Sequence, residues 1–273
     1  MASQYFDETV TERYRQFRFE FGSETLRGRV IALAGGSGGL GAASAALLVT
    51  EGASVVVGYA SDEQRARRMQ DSLSAYGDGT ISICRADLRE AEGRKALLAA
   101  AAPQGPLYGL VVFAGDPARG DSEETLRESA EINYLAPLLL ARGAAQEMRT
   151  KGTAGSIVLF SSMQASYVFE NSTAYAGAKA ALVQGARILA KEAGGSANIR
   201  VNVVAPGATL AGMAQASLRS GKYDRFIADG VIPRFGRAED VARTVRFLIE
   251  PDNYITGQVV TVDGGMTLRR DLR

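Results

Sequence analysis

The sequence predicts an α/β fold: a single doubly wound, Rossmann-type domain with a seven-stranded parallel sheet and helices on both faces. From residue 29 onward, short apolar runs alternate with longer amphipathic stretches, the pattern of successive strand–helix–strand units. The runs are nearly unbroken Val, Ile and Leu, as strands become when both sheet faces are covered. A glycine-rich segment separates the first run from the first amphipathic stretch, where such folds make their tightest turn.

Residues 1–26 precede the first strand and interleave Tyr14, Phe17, Phe19 and Phe21 with Arg13, Arg15, Arg18 and Glu20. They read as an N-terminal extension packed on its own or a neighbouring subunit, leaving 27–273 as the domain. The first strand is expected at 30–34 and its helix at 40–51, with Gly52 supplying a left-handed cap. A second strand at 54–58 leads to a helix at 62–76, where Ser61 and Gln64 make a capping-box pair. Strand 80–86, helix 92–102, strand 110–114 and one long helix at 123–149 come next, then strand 156–160 and helix 174–193. Strand 199–204 is followed by a polar insertion at 208–232, punctuated by Gly212, Gly221 and Gly230. That insertion is either a mobile substrate lid or a pair of ordinary surface helices. Helix 238–250 and strand 259–262 close the domain. No linker composition or internal repeat divides it.

Composition removes several classes of function. With 31 Lys and Arg against 30 Asp and Glu, the chain has a net charge of +1 and no electrostatic case for nucleic acid or an anionic membrane. No apolar run is long enough to span a bilayer, and the charged opening segment lacks the apolar core of a signal peptide, so the cytoplasm is the expected address. Histidine is absent, which excludes imidazole triads and most transition-metal sites; no metal is expected. Acid–base chemistry falls to Asp, Glu, Lys, Tyr or Cys84, and Cys84 sits in an apolar run as an inert core residue.

The turn after the first strand reads Gly35-Gly36-Ser37-Gly38-Gly39-Leu40-Gly41. Gly36, Gly38 and Gly41 fit G-x-G-x-x-G, while Gly35, Gly39 and Gly41 fit G-x-x-x-G-x-G. Such glycines let the backbone approach a pyrophosphate and aim helix N-terminal amides at its charge, so the backbone of this turn is the expected phosphate cradle. An acid at the end of the second strand would hold ribose hydroxyls and repel a 2′-phosphate. Here that end is Gly58-Tyr59-Ala60-Ser61, with Arg65, Arg67 and Arg68 just beyond and Asp62 read as a first-turn helix residue. NADP(H) is therefore favoured over NAD(H), with Tyr59 and Ser61 beside the adenosine ribose.

Farther along, Phe160-Ser161-Ser162 ends the fifth strand and Tyr175-Ala176-Gly177-Ala178-Lys179 opens a helix. Four residues apart, Tyr175 and Lys179 share one helix face. A neighbouring ammonium is expected to bring the tyrosine pKa down from near 10 towards the working range, so that Tyr175 exchanges a proton with a carbonyl or alcohol oxygen. Ser162, at the ligand-binding edge of the sheet, is expected to hydrogen-bond the same oxygen.

With these residues in hand, the chain resembles the short-chain dehydrogenase/reductase family from about residue 26 to its end, and in particular 3-oxoacyl carrier-protein reductase-like members. The turn at Gly35, Gly39 and Gly41 is similar to the family's cofactor motif. Ser162, Tyr175 and Lys179 match its catalytic serine, tyrosine and lysine, and Asn133 in Glu131-Ile132-Asn133-Tyr134 matches the asparagine that supports a water in the proton relay. The resemblance implies that Asp87 and Leu88, after the third strand, hold the adenine and that Lys179 also binds the nicotinamide ribose. It further implies cofactor contacts from Ala114 and Gly115, and from the Pro206-Gly207 segment. The carboxyl-terminal Ile255-Thr256-Gly257-Gln258 and Val262-Asp263-Gly264-Gly265 resemble the family's last strand. Two departures stand out. The chain has Val112-Phe113-Ala114-Gly115 where the family usually has Asn-Asn-Ala-Gly, so the amide bonds that brace that strand are missing. Ala211 occupies the place of a threonine that contacts the cofactor, with Thr209 as the nearby substitute.

The expected function is thus NADPH-dependent reduction of a small-molecule carbonyl to an alcohol with Tyr175 as general acid. The alternatives are an NAD-dependent alcohol or sugar dehydrogenase, a non-catalytic dinucleotide-binding module, against which retention of both Tyr175 and Lys179 argues, and a scaffold that uses the fold only for assembly. The walls 164–171 and 208–232 carry Tyr167, Phe169, Met213 and Phe226, which suit a partly apolar substrate. The helices at 123–149 and 174–193 have Ala- and Leu-rich faces beyond what one sheet face needs, and the family commonly pairs them, so a homotetramer, or at least a dimer, is expected.

Overall fold

The computed structural model describes residues 8–17, 26–118, 120 and 122–268. A short helix, α1 (Glu8–Arg15), lies in the N-terminal extension, while Arg18, Phe19, Glu20 and Phe21 fall outside the described residues. The seven strands are β1 (Val30–Ala34), β2 (Ser54–Tyr59), β3 (Thr80–Arg85), β4 (Leu107–Val112), β5 (Gly155–Phe160), β6 (Ile199–Pro206) and β7 (Val259–Val262). All pair in parallel, in the order β3-β2-β1-β4-β5-β6-β7. Strand order reverses between β1 and β4, the place where open α/β sheets part to admit a ligand.

Alternation along the strands splits the core in two. Val30, Ala32 and Ala34 of β1 face one layer, packed with helices α4 (Ala91–Ala101), α6 (Ala136–Thr150) and α7 (Thr173–Ala193). Ile31 and Leu33 face the other, with α2 (Gly39–Thr50), α3 (Glu63–Leu73) and α10 (Ala238–Ile249). On that second face the Arg246 guanidinium of α10 meets the Glu51 carboxylate at 2.8 Å, tying α10 to the end of α2. Gly52 follows at φ +86°, as the helix end required. Among the described residues, no helix is long and apolar enough to cross a membrane.

Two expected elements change, and the insertion after β6 takes the helical form of its two alternatives. The long helix at 123–149 is α5 (Glu123–Ala130), a π turn (Glu131–Leu135) and then α6. Pro137, with no N–H, cannot donate to the Asn133 carbonyl four residues earlier, and the Ala136 amide reaches back five residues to Glu131 instead. Asp62, not Ser61, caps α3: its carboxylate accepts from the Arg65 amide at 2.8 Å. The insertion after β6 forms two short helices, α8 (Gln215–Arg219) and α9 (Asp224–Ala228). Leu218, Tyr223 and Phe226 from this insertion make a separate apolar cluster with Met163 and Met266.

Candidate active site

The turn from β1 into α2 is possible only with glycine at its crossing points. Gly35 has φ +70°, and a Cβ on it would sit 2.9 Å from the Ala114 amide at the end of β4. The turn also folds onto itself, since a Cβ on Gly41 would lie 2.4 Å from the Gly36 Cα. Gly38 precedes α2 with open space beside it, its nearest non-neighbouring atom being 3.9 Å from an ideal Cβ. No side chain caps α2 and its first turn holds no acid, so the helix presents uncapped amides at a positive dipole end. Gly38, Gly39, Leu40 and Gly41 therefore fit the pyrophosphate of a dinucleotide.

Tyr59 is buried at the end of β2, and the Ser37 hydroxyl lies 3.4 Å from both Nε and one terminal nitrogen of Arg65. Of the three arginines in α3, Arg67 is engaged by Glu63, while Arg65 leans over the glycine turn and also meets the Asp62 carboxylate at 3.6 Å. Asp87 accepts from the Arg89 guanidinium at 2.6 Å, which holds its carboxyl below the ordinary range. Leu88, next to it, is buried in the core.

Asn133 is fully buried where the π turn rotates it towards the end of β4. Its amide donates to the Asp116 carbonyl at 2.9 Å and to the Ser129 hydroxyl at 3.1 Å, and its oxygen accepts from the Asp116 amide at 3.0 Å. The Ser129 hydroxyl in turn donates to the Ala174 carbonyl at 3.0 Å, so α5 is pinned to the start of α7, one residue before Tyr175. Gly115 packs in the angle between Asn133 and Lys179. The missing asparagine brace at Phe113 is replaced by an aromatic one, Phe113 lying against Phe160 at 4.4 Å between ring centroids.

Ser162, Tyr175 and Lys179 come together at the end of β5. The Ser161 hydroxyl donates to the Lys179 carbonyl at 2.9 Å, and the Lys179 Nζ donates back to the Phe160 carbonyl at 2.9 Å, clamping the lysine to the strand end. Ser162 lies beside Tyr175, where its hydroxyl favours the phenolate, and the Lys179 Nζ is 5.8 Å from the tyrosine ring centroid. The expected fall in the tyrosine pKa does not appear in this geometry. Burial pushes Tyr175 up, the Ser162 hydroxyl pulls it down, and Tyr223 and Asp116 add to the rise. Burial also lowers Lys179 to about 7, which removes much of the charge that was expected to act on the tyrosine.

A cavity of about 210 Å³ opens over these groups. Leu40, Phe113, Phe160, Pro206, Gly207 and Thr209 line it together with Phe169, Met213, Lys222 and Tyr223. Thr209, however, turns inward and donates to the Gly207 carbonyl at 3.1 Å. Ala211 lies against the glycine turn, its Cβ 3.0 Å from where a Cβ on Gly39 would be. Ser129, Ser161 and Arg65 were not among the residues singled out for the site; the Ser161-Ser162 pair and the position of Ser129 one helical turn before Asn133 were the available signals.

A family model described as enoyl-(acyl carrier protein) reductase matches residues 34–267. An uncharacterized oxidoreductase of Methylorubrum extorquens is 33% identical over 253 residues, covering 88% of this chain and 98% of that protein. An NADPH-dependent aldehyde reductase of Arabidopsis thaliana chloroplasts is 30% identical, covering 89% of this chain and 95% of the relative. Among solved structures, a 7α-hydroxysteroid dehydrogenase complexed with NADH and 7-oxo glycochenodeoxycholic acid superposes with a TM-score of 0.82 at 28% identity, covering 92% of this chain and all of the other.

Proposed function

The chain belongs to the short-chain dehydrogenase/reductase family, and from that premise we propose that it reduces a carbonyl to an alcohol with NADPH, Tyr175 acting as general acid. Membership makes it an oxidoreductase acting on hydroxyl or carbonyl groups with a nicotinamide dinucleotide. The observation that carries the reading is the meeting of Tyr175, Ser162 and Lys179 beneath one cavity that runs towards an uncapped glycine turn.

In this reading the amides of Gly38 to Gly41 hold the pyrophosphate, with Gly35 and Ser37 shaping the turn around them. Asp87 and Leu88 lie beside the adenine, Ala114 and Gly115 form the wall at the β1–β4 opening, and Pro206, Gly207 and Thr209 flank the nicotinamide. When bound, the cofactor supplies the hydride. Ser162 orients the substrate oxygen, Tyr175 gives its hydroxyl proton to that oxygen, and Lys179 stabilises the phenolate left behind. Asn133 keeps the loop after β4 and the start of α7 in place around them. The test is Tyr175→Phe, which keeps the ring and removes the proton: turnover should fall ~100-fold to ~10,000-fold with NADPH affinity little changed. Near wild-type turnover would refute the assignment.

The preference for NADPH rests on the end of β2. Tyr59 and Ser61 stand where a ribose-binding acid would repel the phosphate, Asp62 is taken up by the α3 amide and by the Arg65 guanidinium, and Arg65 reaches over Ser37. The Arabidopsis relative named above is NADPH-dependent, whereas the steroid dehydrogenase structure holds NADH. We read residues 27–273 as the catalytic domain and 1–26 as an extension to it. A homotetramer fits the exposed Leu126, Leu135, Leu139 and Ile188 on α5, the π turn, α6 and α7. Cys84 has no second cysteine in the chain to pair with, which suits a reducing, cytoplasmic setting.

A further inference from the structure

Resting on the reading of the cavity as a site of carbonyl reduction, we propose that the substrate is an oxo acid: an apolar body with a carboxylate at the end remote from the reacting carbonyl, bound by Lys222. The cavity is lined by the Ser162 and Tyr175 hydroxyls, by the apolar bodies of Phe169, Met213 and Tyr223, and by the exposed Lys222 from the turn between α8 and α9. The lysine is held there by the ring of Tyr223, whose centroid is 5.6 Å from the ammonium, and Tyr223 is itself buried against Phe226 and Phe169.

The charge is unspent. Among the described residues no carboxylate lies within ion-pair distance of Lys222. Asp224 sits beside Gly221 instead, its carboxylate 3.1 Å from where a Cβ on Gly221 would be. Glu170, the one acid among the described residues that line the cavity, is exposed and makes no ion pair with the lysine. The other cation lining the cavity, Lys179, is buried and bonded to the Phe160 carbonyl.

A second donor points the same way. The Gln164 side-chain oxygen accepts from Ser172, and among the described residues its amide nitrogen has no hydrogen-bond partner. A ligand filling the cavity therefore meets the unpaired Lys222 ammonium and, beside Ser162, the Gln164 amide, which favours an acceptor of negative charge. A single lysine in a cavity that also carries Glu170 suits a monoanionic carboxylate better than a phosphate dianion.

The test is calorimetric titration of the NADP+-saturated protein, which has no hydride to transfer, with 4-oxopentanoate, 4-oxo-4-phenylbutanoate and 6-oxoheptanoate, each beside its methyl ester. At least one acid should bind about tenfold tighter than its ester, a preference that weakens with salt. It should disappear in Lys222→Gln and survive in Lys222→Arg. If no acid surpasses its ester, or if Lys222→Gln weakens acid and ester alike, the proposal is overturned. Turnover of the same pairs with NADPH separates the two readings. Lys222-dependent acid binding without turnover would leave the anion site standing and remove the carbonyl-reductase assignment. Turnover with no preference for the acid would do the reverse.

Discussion

Replacing Lys179 with methionine should make the protein more stable while destroying its activity. The lysine is 2% exposed, and burial lowers its pKa from an ordinary 10.5 to about 7. A group whose folded-state pKa is depressed in this way binds fewer protons when folded than when unfolded, so stability rises with pH between about 7 and 10.5 and carries its full penalty below 7. A depression of that size corresponds to a penalty on the order of 5 kcal/mol at pH 6. Methionine keeps a comparable apolar stem but gives up the 2.9 Å bond to the Phe160 carbonyl, a loss of about 1 kcal/mol, with imperfect packing taking a similar amount. Lys179→Met should therefore exceed the wild type by ~2–4 kcal/mol at pH 6, with the gap closing towards pH 10. Urea unfolding followed by circular dichroism at pH 6, 8 and 10 measures this directly. A wild type whose stability is flat across that range, or a methionine variant less stable at pH 6, would refute the burial argument.

Other expectations follow from the same contacts. In Gly115→Ala the added Cβ would fall 2.8 Å from the Asn133 oxygen and 3.1 Å from the Lys179 Nζ; turnover should drop at least tenfold for a stability cost of roughly 1–3 kcal/mol, and unchanged kinetics would show that this corner is slack. Arg65→Ala should weaken NADPH roughly 3- to 10-fold and leave NADH unaltered, and Tyr59→Asp should shift preference towards NADH; a wild type that binds NADH more tightly would contradict the reading of β2. Light scattering at micromolar concentration should give a tetrameric or dimeric mass, and a monomer would remove the role assigned to Leu135, Leu139 and Ile188.

The parallel sheet was legible because its strands are long apolar runs between punctuated helices, and β1 and β7 fall on the expected bounds. The start of β4 was not, because Pro106 and Gly109 interrupt the run; Gly109 is there because Ile31 of β1 leaves a Cβ only 3.1 Å. The break in the long helix had a visible cause in Pro137, but only tertiary structure shows that it turns Asn133 towards Asp116. Capping at the start of α3 came down to a choice between adjacent residues, Ser61 and Asp62, and spacing alone did not separate them. Arg65 over Ser37 joins residues 28 positions apart, and periodicity carries no information about such a pair. The tyrosine–lysine spacing was correct as geometry and misleading as electrostatics. Helix periodicity places two groups on one face, but the depth at which that face is buried decides the sign of their shifts.

That depth bears on the direction of the reaction. With burial holding the Tyr175 proton in place, the site starts as an acid and must be forced to become a base. Reduction consumes that proton and leaves a phenolate beside Lys179, whose ammonium discharges as pH rises through about 7. Both shifts favour reduction at neutral and mildly acid pH. Above about 7 the phenolate loses its counter-charge, so carbonyl reduction should slow with rising pH. Oxidation of the product alcohol needs an unprotonated tyrosine and should climb towards pH 10. The check is to measure single-turnover rates in both directions from pH 6 to 10 with saturating cofactor, and to repeat them in Tyr175→Phe. A reduction rate that increases from pH 6 to 9, or a profile that survives loss of the phenol, would place the proton donor elsewhere.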